Sequence, residues 1–130
     1  MSDLPLHSLS TTFIALDDQS RARPLPVTNR FWSDLTNGRL GEFSRLVSLM
    51  SYNASWSTWE RHPAGEEVVC LLEGSVTLLL EMPEGQEEIN LTEPGQYVLV
   101  PPRTWHTARV ERQCTMLFIT PGEGTENRPA

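Results

Sequence analysis

The chain has 130 residues, a formal net charge of −7 and a pI near 4.9. This length suits one ordinary domain and is too short for two. Because acidic residues outnumber basic ones, the sequence lacks the Lys/Arg surface that phosphate binding needs, which argues against nucleic acid and for a small-molecule or protein partner.

The sequence also bears on the cellular compartment. No apolar run is long enough to cross a bilayer, and the amino terminus MSDLPLHSLS has neither the basic start nor the apolar block of a secretion signal. We therefore expect a cytoplasmic protein with no membrane contact. Cys70 and Cys114 lie in apolar, strand-like segments without paired Cys/His spacing, which predicts two reduced thiols rather than a disulfide framework or a zinc ribbon.

The first third of the chain is the least regular part. Residues 1–33 mix prolines with polar residues and predict an irregular N-terminal arm, with one edge strand around TTFIAL. Asn37-Gly38 is a hairpin signal, and residues 43–50 form a mixed run that fits either a helix or a strand and that we interpret as a strand. Phe13, Ile14, Phe31 and Trp32 give the arm apolar material that could cover a sheet edge or cross to a second subunit, so we expect a homodimer.

From Trp56 onwards the sequence reads as short strands separated by turns. Seven segments fit this pattern: WSTWERH, EEVVCLLE, SVTLLLEM, INL, QYVLVP, WHTARVE and CTMLFIT. Because no helical segment separates them, we predict an all-β sandwich or barrel over residues 34–120. Residues 121–130 carry no large apolar side chain and predict an extended surface tail.

Metal-capable side chains cluster just before the second of these strands. Alternation along a strand places Glu60 and His62 on one face. Pro63 holds His62 in an extended conformation, and the following PAGE predicts a tight reversal. We therefore expect the next strand to return beside the first and to bring Glu67 next to His62, with Glu66 in solvent.

These residues give the chain a resemblance to the cupins, whose two motifs read G-x5-H-x-H-x3,4-E-x6-G and G-x5-P-x-G-x2-H-x3-N. The matches are His62, Glu67 and Gly74 in the first motif and Gly95, Pro101 and His106 in the second. The departures are Ala54 and Glu60 in the first motif, and Arg103 and Val110 in the second, where glycine, histidine, glycine and asparagine would stand. The similarity covers roughly residues 43–120.

The resemblance implies a double-stranded β-helix, or jelly roll, with one metal ion inside the barrel. Carried over by position, His62, Glu67 and His106 match metal ligands, and Glu60 is the candidate fourth ligand. The residue types independently suit a divalent ion, because two imidazoles and a carboxylate form the facial set of non-haem iron and also suit zinc, manganese, nickel or cobalt. The alternative is a hydrogen-bonded polar network of the same four residues without metal.

The function expected from this site is a small cupin-type protein that binds a divalent metal ion and a small polar or anionic organic ligand. It would act as a metal-dependent dioxygenase, isomerase or lyase, with Glu60 as a ligand or as a catalytic general base. One alternative is a noncatalytic small-molecule-binding or sensory module without metal, and another is a purely structural dimeric barrel. We expect Trp59 and Trp105 on the outer face, because they are immediate neighbours of inward-facing residues.

Overall fold

The structure is a computed structural model that describes residues 3–122 and 124–130. In these ranges the chain forms eleven strands and one short helix. The elements are β1 (Thr12–Leu16), β2 (Ala22–Pro26), α1 (Phe31–Thr36), β3 (Arg45–Tyr52), β4 (Thr58–Arg61), β5 (Glu67–Gly74), β6 (Val76–Met82), β7 (Gly85–Leu91), β8 (Tyr97–Val100), β9 (His106–Arg109), β10 (Cys114–Pro121) and β11 (Glu126–Pro129).

The strands form two antiparallel sheets. Sheet A has the order β2-β1-β3-β10-β5-β8, and sheet B has the order β11-β4-β9-β6-β7. Each of the seven strands expected after Trp56 is present, so the all-β prediction is confirmed. Residues 45–50 of the mixed run at 43–50 also lie in a strand, β3, in which residues 46–48 are all buried.

One apolar core lies between the two sheets. It takes every second side chain from strands of both sheets, because successive residues of a strand face opposite ways. The buried members are Val69, Leu71, Val76, Leu78, Leu80, Leu91, Val100, Ala108, Val110, Cys114, Met116 and Phe118. This core holds the sheets face to face and leaves polar side chains only at one end of the interior, where the candidate site lies.

The N-terminal segment is more regular than expected. β1 and β2 form a hairpin that extends sheet A, and β1 is an inner strand, paired with β2 on one side and β3 on the other. A second apolar cluster fixes this hairpin and α1 to the sheet, with the rings of Phe13 and Phe31 meeting edge to face at 5.1 Å. The N-terminal segment is therefore part of the folded domain.

The interpretation of Asn37-Gly38 as a hairpin was wrong. Asn37 follows the last turn of α1, and Gly38 has φ +73°. Helix ends and tight hairpins both favour a left-handed residue, so the same dipeptide serves either structure. Here the dipeptide follows a helix, the six-residue α1, in which only Phe31 is fully buried.

The link between β4 and β5 also differs from the expectation. β4 pairs with β11 and β9 in sheet B, whereas β5 pairs with β10 and β8 in sheet A. Residues 62–66 therefore cross from one sheet to the other, and the prediction that the two strands lie side by side was wrong. Pro63 and the turn after it suit this corner as well as they would suit a hairpin.

The end of the chain forms a strand on the outer edge of sheet B. β11 pairs with β4 in register, from Glu126 opposite Arg61 to Pro129 opposite Thr58. Trp105 is the residue just before β9. The guanidinium of Arg128 lies 4.4 Å from the centre of its ring, and the guanidinium of Arg61 lies 4.6 Å from the same point. Trp105 is thus on the outer face, as expected.

Two further expectations can be compared with the described residues. Cys70 and Cys114 are both free. Among residues 3–122 and 124–130, no helix combines the length and the apolar character that crossing a membrane demands.

Gly74 offers a test of this architecture. It has φ +81°, and a Cβ at this position would lie 2.2 Å from the carbonyl oxygen of Gln113. We expect Gly74→Ala to lower the free energy of unfolding by at least about 3 kcal/mol, because backbone strain and steric overlap add up. Urea unfolding followed by circular dichroism measures this change.

Gly38→Ala is the matched control. Gly38 has a similar φ of +73°, but no heavy atom lies within 4 Å of the Cβ position. Its substitution should cost only the left-handed backbone strain, about 1 kcal/mol. Equal effects of the two substitutions would contradict the close contact between β5 and the β9–β10 loop.

Candidate metal centre

Four titratable side chains from both sheets meet at one point in the interior. Glu60 on β4 lies directly opposite His106 on β9 in the register of sheet B. His62 follows the end of β4, and Glu67 opens β5 in sheet A. The corner at residues 62–66 is what carries the chain from one half of the site to the other.

The ligand atoms of these residues lie close together. One oxygen or nitrogen from each of Glu60, His62, Glu67 and His106 falls within 4.8 Å of all the others. The Nε2 atom of His106 is 2.9 Å from Oε1 of Glu67, and Nε2 of His62 is 3.3 Å from Oε2 of the same carboxylate. Oε1 of Glu60 lies 3.5 Å from Nε2 of His62 and 3.6 Å from Nε2 of His106. All four residues that the sequence indicated are therefore together.

The backbone fixes the tautomer of His106. Its Nδ1 lies 3.0 Å from the carbonyl oxygen of Thr104. Because a carbonyl oxygen only accepts, Nδ1 carries a proton and donates, and Nε2 is the nitrogen that exchanges its proton or binds a metal. Nε2 is also the nitrogen that faces the other three side chains.

His62 presents a buried nitrogen without a hydrogen bond. Its Nδ1 lies 2.8 Å from Oγ1 of Thr125, in the segment before β11. Its Nε2 is buried, points to the centre of the cluster and has no hydrogen-bond partner among the described residues. A buried polar atom without a partner is unfavourable, and a metal ion at this point would satisfy it.

Glu67 is the most constrained carboxylate. It is 1% exposed, and Oγ1 of Thr120 on β10 donates to its Oε2 over 2.6 Å. Its other oxygen accepts from His106. Glu60 is different, because its side chain is 25% exposed and opens to the cavity. A ligand in the cavity would therefore meet Glu60 before it meets Glu67.

The opposite charges shift the pKa values of all four groups. Burial alone would lower the pKa of each histidine, but the carboxylates of Glu60 and Glu67 raise it, to about 9 for His62 and about 10 for His106. Burial alone would raise the pKa of each carboxyl, but the histidines lower it, to about 2 for Glu60 and below the ordinary value for Glu67. At neutral pH the metal-free site holds two imidazolium ions and two carboxylates.

This charge balance suits a divalent ion. Two imidazolium protons and one divalent cation carry the same charge, so replacing the protons by the ion leaves the buried site neutral. The donors are imidazole nitrogen and carboxylate oxygen without thiolate, a set that iron, zinc, manganese and nickel accept. The residues present therefore fit a divalent metal ion.

The site forms one wall of a cavity of about 760 Å³. Trp56 lines this cavity and its ring lies 6.2 Å from that of His106, edge to face. Sequence reasoning missed three contributors: Thr120, Thr125 and the helix α1, whose Trp32 and Leu35 form part of the wall. None of these had a spacing that linked it to the histidines.

The remaining candidates lie away from the cluster. His7 and Glu66 are exposed. Trp59 lies on the outer face of sheet B, 5.3 Å from the guanidinium of Arg128. The exposure of Glu66 agrees with the expectation that Glu67, rather than Glu66, lies next to His62.

Comparison with known proteins gives a clear result for the fold. No protein-family profile and no curated protein matches this sequence. Solved structures do match: a cupin-2 domain protein from Shewanella frigidimarina has 19% identity over 63% of this chain and 76% of its own, with a TM-score of 0.51. A cupin superfamily protein from Desulfitobacterium hafniense has 21% identity over 64% and 72% of the two chains, with a TM-score of 0.53.

An enzyme is also among the matching structures. It is hydroquinone 1,2-dioxygenase from a Sphingomonas species, solved with 4-hydroxybenzoate bound. It has 20% identity over 65% of this chain and 62% of its own, with a TM-score of 0.52. With identities of only 19–21%, the structural similarity to these proteins shows a shared fold and nothing further.

The shifted pKa values predict how the stability of the metal-free protein depends on pH. The raised histidine values contribute stability that is complete below the ordinary pKa of 6.5 and is lost as the pH rises through about 9 and 10. The lowered carboxyl values contribute stability that is complete above 4.5 and is lost as the pH falls through about 2. Chelator-treated protein should therefore be most stable near pH 5–6 and lose on the order of a few kcal/mol by pH 9.

Urea unfolding at pH 6, 7.5 and 9 measures this loss. The double variant His62→Gln/His106→Gln lacks the two imidazoles and should show a much smaller change over the same range. A wild-type curve as flat as that of the variant would show that the histidines are neutral in the folded protein.

Proposed function

From the cupin fold of this chain, we propose that it is a small cupin-type protein that binds a divalent metal ion and a small polar or anionic organic ligand inside its barrel. The metal ligands are His62, Glu67, His106 and Glu60. The observation that carries the proposal is the convergence of two imidazoles and two carboxylates within 4.8 Å, with Nε2 of His62 left without a hydrogen bond.

The chemistry follows from the donor set. A divalent ion held by these four residues would supply Lewis-acid polarisation of a ligand's oxygen atoms, as metal-dependent dioxygenases, isomerases and lyases require. The chain's own residues orient the ligands: Thr104 fixes His106, Thr125 contacts His62, and Thr120 holds Glu67. Such outer contacts set the direction of each donor atom before a metal binds.

Glu60 has a second role in this proposal. Its side chain is the most exposed of the four and lines the cavity. It is therefore placed to take a proton from a hydroxyl group of a bound ligand, as a catalytic general base. Oxygenation is the reaction to test first, because a neighbour of the same fold is a dioxygenase.

A noncatalytic module without metal is the second candidate. The observation that favours it is that the metal-free site is already neutral and largely hydrogen-bonded, with Glu67 accepting from both His106 and Thr120. A buried network of this kind is stable without an ion. In that case the cavity binds a small molecule and a partner surface conveys the response.

We also propose a homodimer formed through the outer face of sheet A. Uncharged outward side chains lie opposite one another across this sheet: Leu99, Val68 and Ile119 form one row on β8, β5 and β10, and Tyr97, Cys70, Leu117 and Leu49 form the next, which extends to β3. With spacings of about 4.8 Å between strands and 3.3 Å per residue, such a face covers a few hundred Å².

A second copy of the chain is the occupant that fits this face. Each copy has a net charge of −7, so two copies approach most easily through a surface without charges. Tyr97 is 61% exposed and Leu99 is 50% exposed, and both would gain from burial. We further propose a cytoplasmic location, because a reducing compartment keeps Cys70 and Cys114 as free thiols.

The metal proposal predicts the behaviour of His106→Ala. Wild-type protein purified without a histidine tag should contain about one divalent ion per chain, and the variant should contain almost none, because a single ligand change lowers affinity by at least about 10-fold. Elemental analysis measures the metal, and circular dichroism checks the fold.

His7→Ala is the matched control, since His7 is exposed and distant in sequence from the site. Full metal content in His106→Ala would refute the ligand assignment. Wild-type protein that takes up no metal and consumes no oxygen in a substrate screen would favour the noncatalytic module.

The dimer proposal predicts the effect of a charge on sheet A. Wild-type protein at micromolar concentration should sediment as a dimer, and Leu99→Glu should sediment as a monomer, because a buried carboxylate without a partner is costly. Leu6→Glu should leave the dimer intact, since Leu6 is 99% exposed on the N-terminal segment. If Leu6→Glu were monomeric and Leu99→Glu dimeric, the dimer contact would lie on the N-terminal segment instead of sheet A. A monomeric wild-type protein would rule out both contacts.

A further inference from the structure

The walls of the cavity combine large apolar side chains with small neutral polar ones. The apolar members come from α1, from the loops before β3 and before β4, and from sheet A, and include Trp32, Leu35, Phe43, Met50, Trp56 and Phe118. The neutral polar members are hydroxyl and amide groups, among them Ser48, Ser51, Asn53, Thr58 and Asn127. A volume of about 760 Å³ is typical of sites that enclose a small organic molecule.

No arginine lines this cavity among the described residues. The chain has no lysine, and its basic side chains apart from histidine are ten arginines. Arg61 and Arg128 stack on Trp105 on the outer face of sheet B. Arg21 and Arg109 form surface ion pairs with Asp17 and Glu88.

The titratable side chains that do line the cavity are Glu60, His62 and Glu67, all members of the candidate metal centre. A carboxylate or phosphate ligand would leave water for a partly apolar cavity that already contains two glutamates and offers no arginine, so that its only cationic partner would be the metal itself. Such a transfer is unfavourable unless the charge is paired.

We propose that the ligand of this cavity is an uncharged, largely apolar organic molecule that carries hydroxyl or carbonyl oxygen, and that anionic ligands are rejected. The inference rests on the proposed function, because it narrows the ligand of the same site by excluding the anionic class and by adding an apolar body to the oxygen-bearing ligand. The aromatic and aliphatic walls bind its apolar body, and the neutral hydroxyl and amide groups bind its oxygen atoms.

Two probes of matched shape test this inference. At pH 7, 2-naphthol is uncharged and 2-naphthoate is an anion. Isothermal titration calorimetry with zinc-loaded and with chelator-treated wild-type protein should show 2-naphthol binding at least about tenfold more tightly than 2-naphthoate in both states. Equal or tighter binding of 2-naphthoate, or no binding of 2-naphthol, would overturn the inference.

Substitutions place the binding in the cavity. Trp32→Ala removes an aromatic wall and should weaken 2-naphthol binding at least about fivefold, whereas Leu6→Ala, which removes an exposed apolar side chain on the N-terminal segment, should have no effect. Asn53→Arg adds a cation to the lining and should strengthen 2-naphthoate binding, with Asn53→Gln unchanged. Unaltered affinities in both Trp32→Ala and Asn53→Arg would place the probes outside the cavity and overturn the inference.

The metal content of the same samples separates the two proposals. A preference for 2-naphthol in protein that never retains a metal would refute the metal centre and support the ligand class. A retained metal together with a preference for 2-naphthoate would support the metal centre and refute the proposed ligand class.

Discussion

The contact between Glu67 and His106 is the interaction on which the site depends. The two residues belong to different sheets, are both buried, and meet at 2.9 Å. A carboxylate in an apolar interior is strongly unfavourable on its own, and an imidazolium ion is too, so each requires the other. Glu60 and His62 lie beside them as a second, more open pair, with Oε1 of Glu60 3.5 Å from Nε2 of His62 and the Glu60 side chain 25% exposed. The sandwich can therefore enclose titratable groups at one end and an apolar core at the other.

Much of this site could be predicted from the sequence, because its residues obey local rules. Alternation along a strand joined Glu60 to His62, and motif spacing selected Glu67 and His106. The path between the two halves could not be predicted. A proline and a tight turn serve both a hairpin and a corner between sheets, and only the core shared by both sheets decides between them. The four residues converge by either path, so the error in the path did not affect the site.

The parts that the sequence did not reveal are those in which a residue acts through a distant neighbour. Thr120 and Thr125 carry no motif, yet each places its hydroxyl against a member of the site. The sequence did not reveal helix α1, because Asn37-Gly38 was interpreted as a hairpin turn. The same dipeptide ends helices as readily as it closes hairpins. A side chain of α1 nevertheless forms part of the cavity wall, since the cluster around Phe13 and Phe31 fixes the helix to sheet A.

The C-terminal strand connects the outer face of sheet B to the site inside. Arg128 stacks on Trp105, β11 pairs with β4, and Thr125 just before β11 contacts Nδ1 of His62. The contact directs Nε2 of His62 toward the carboxylates, whichever of the two partners donates the hydrogen. A segment that looks like a loose tail in the sequence thus orients one of the two imidazoles. Because β11 is an edge strand whose sheet neighbour is β4, the orientation of His62 depends on the pairing of β11 with β4, whereas Nδ1 of His106 is oriented by the backbone carbonyl of Thr104.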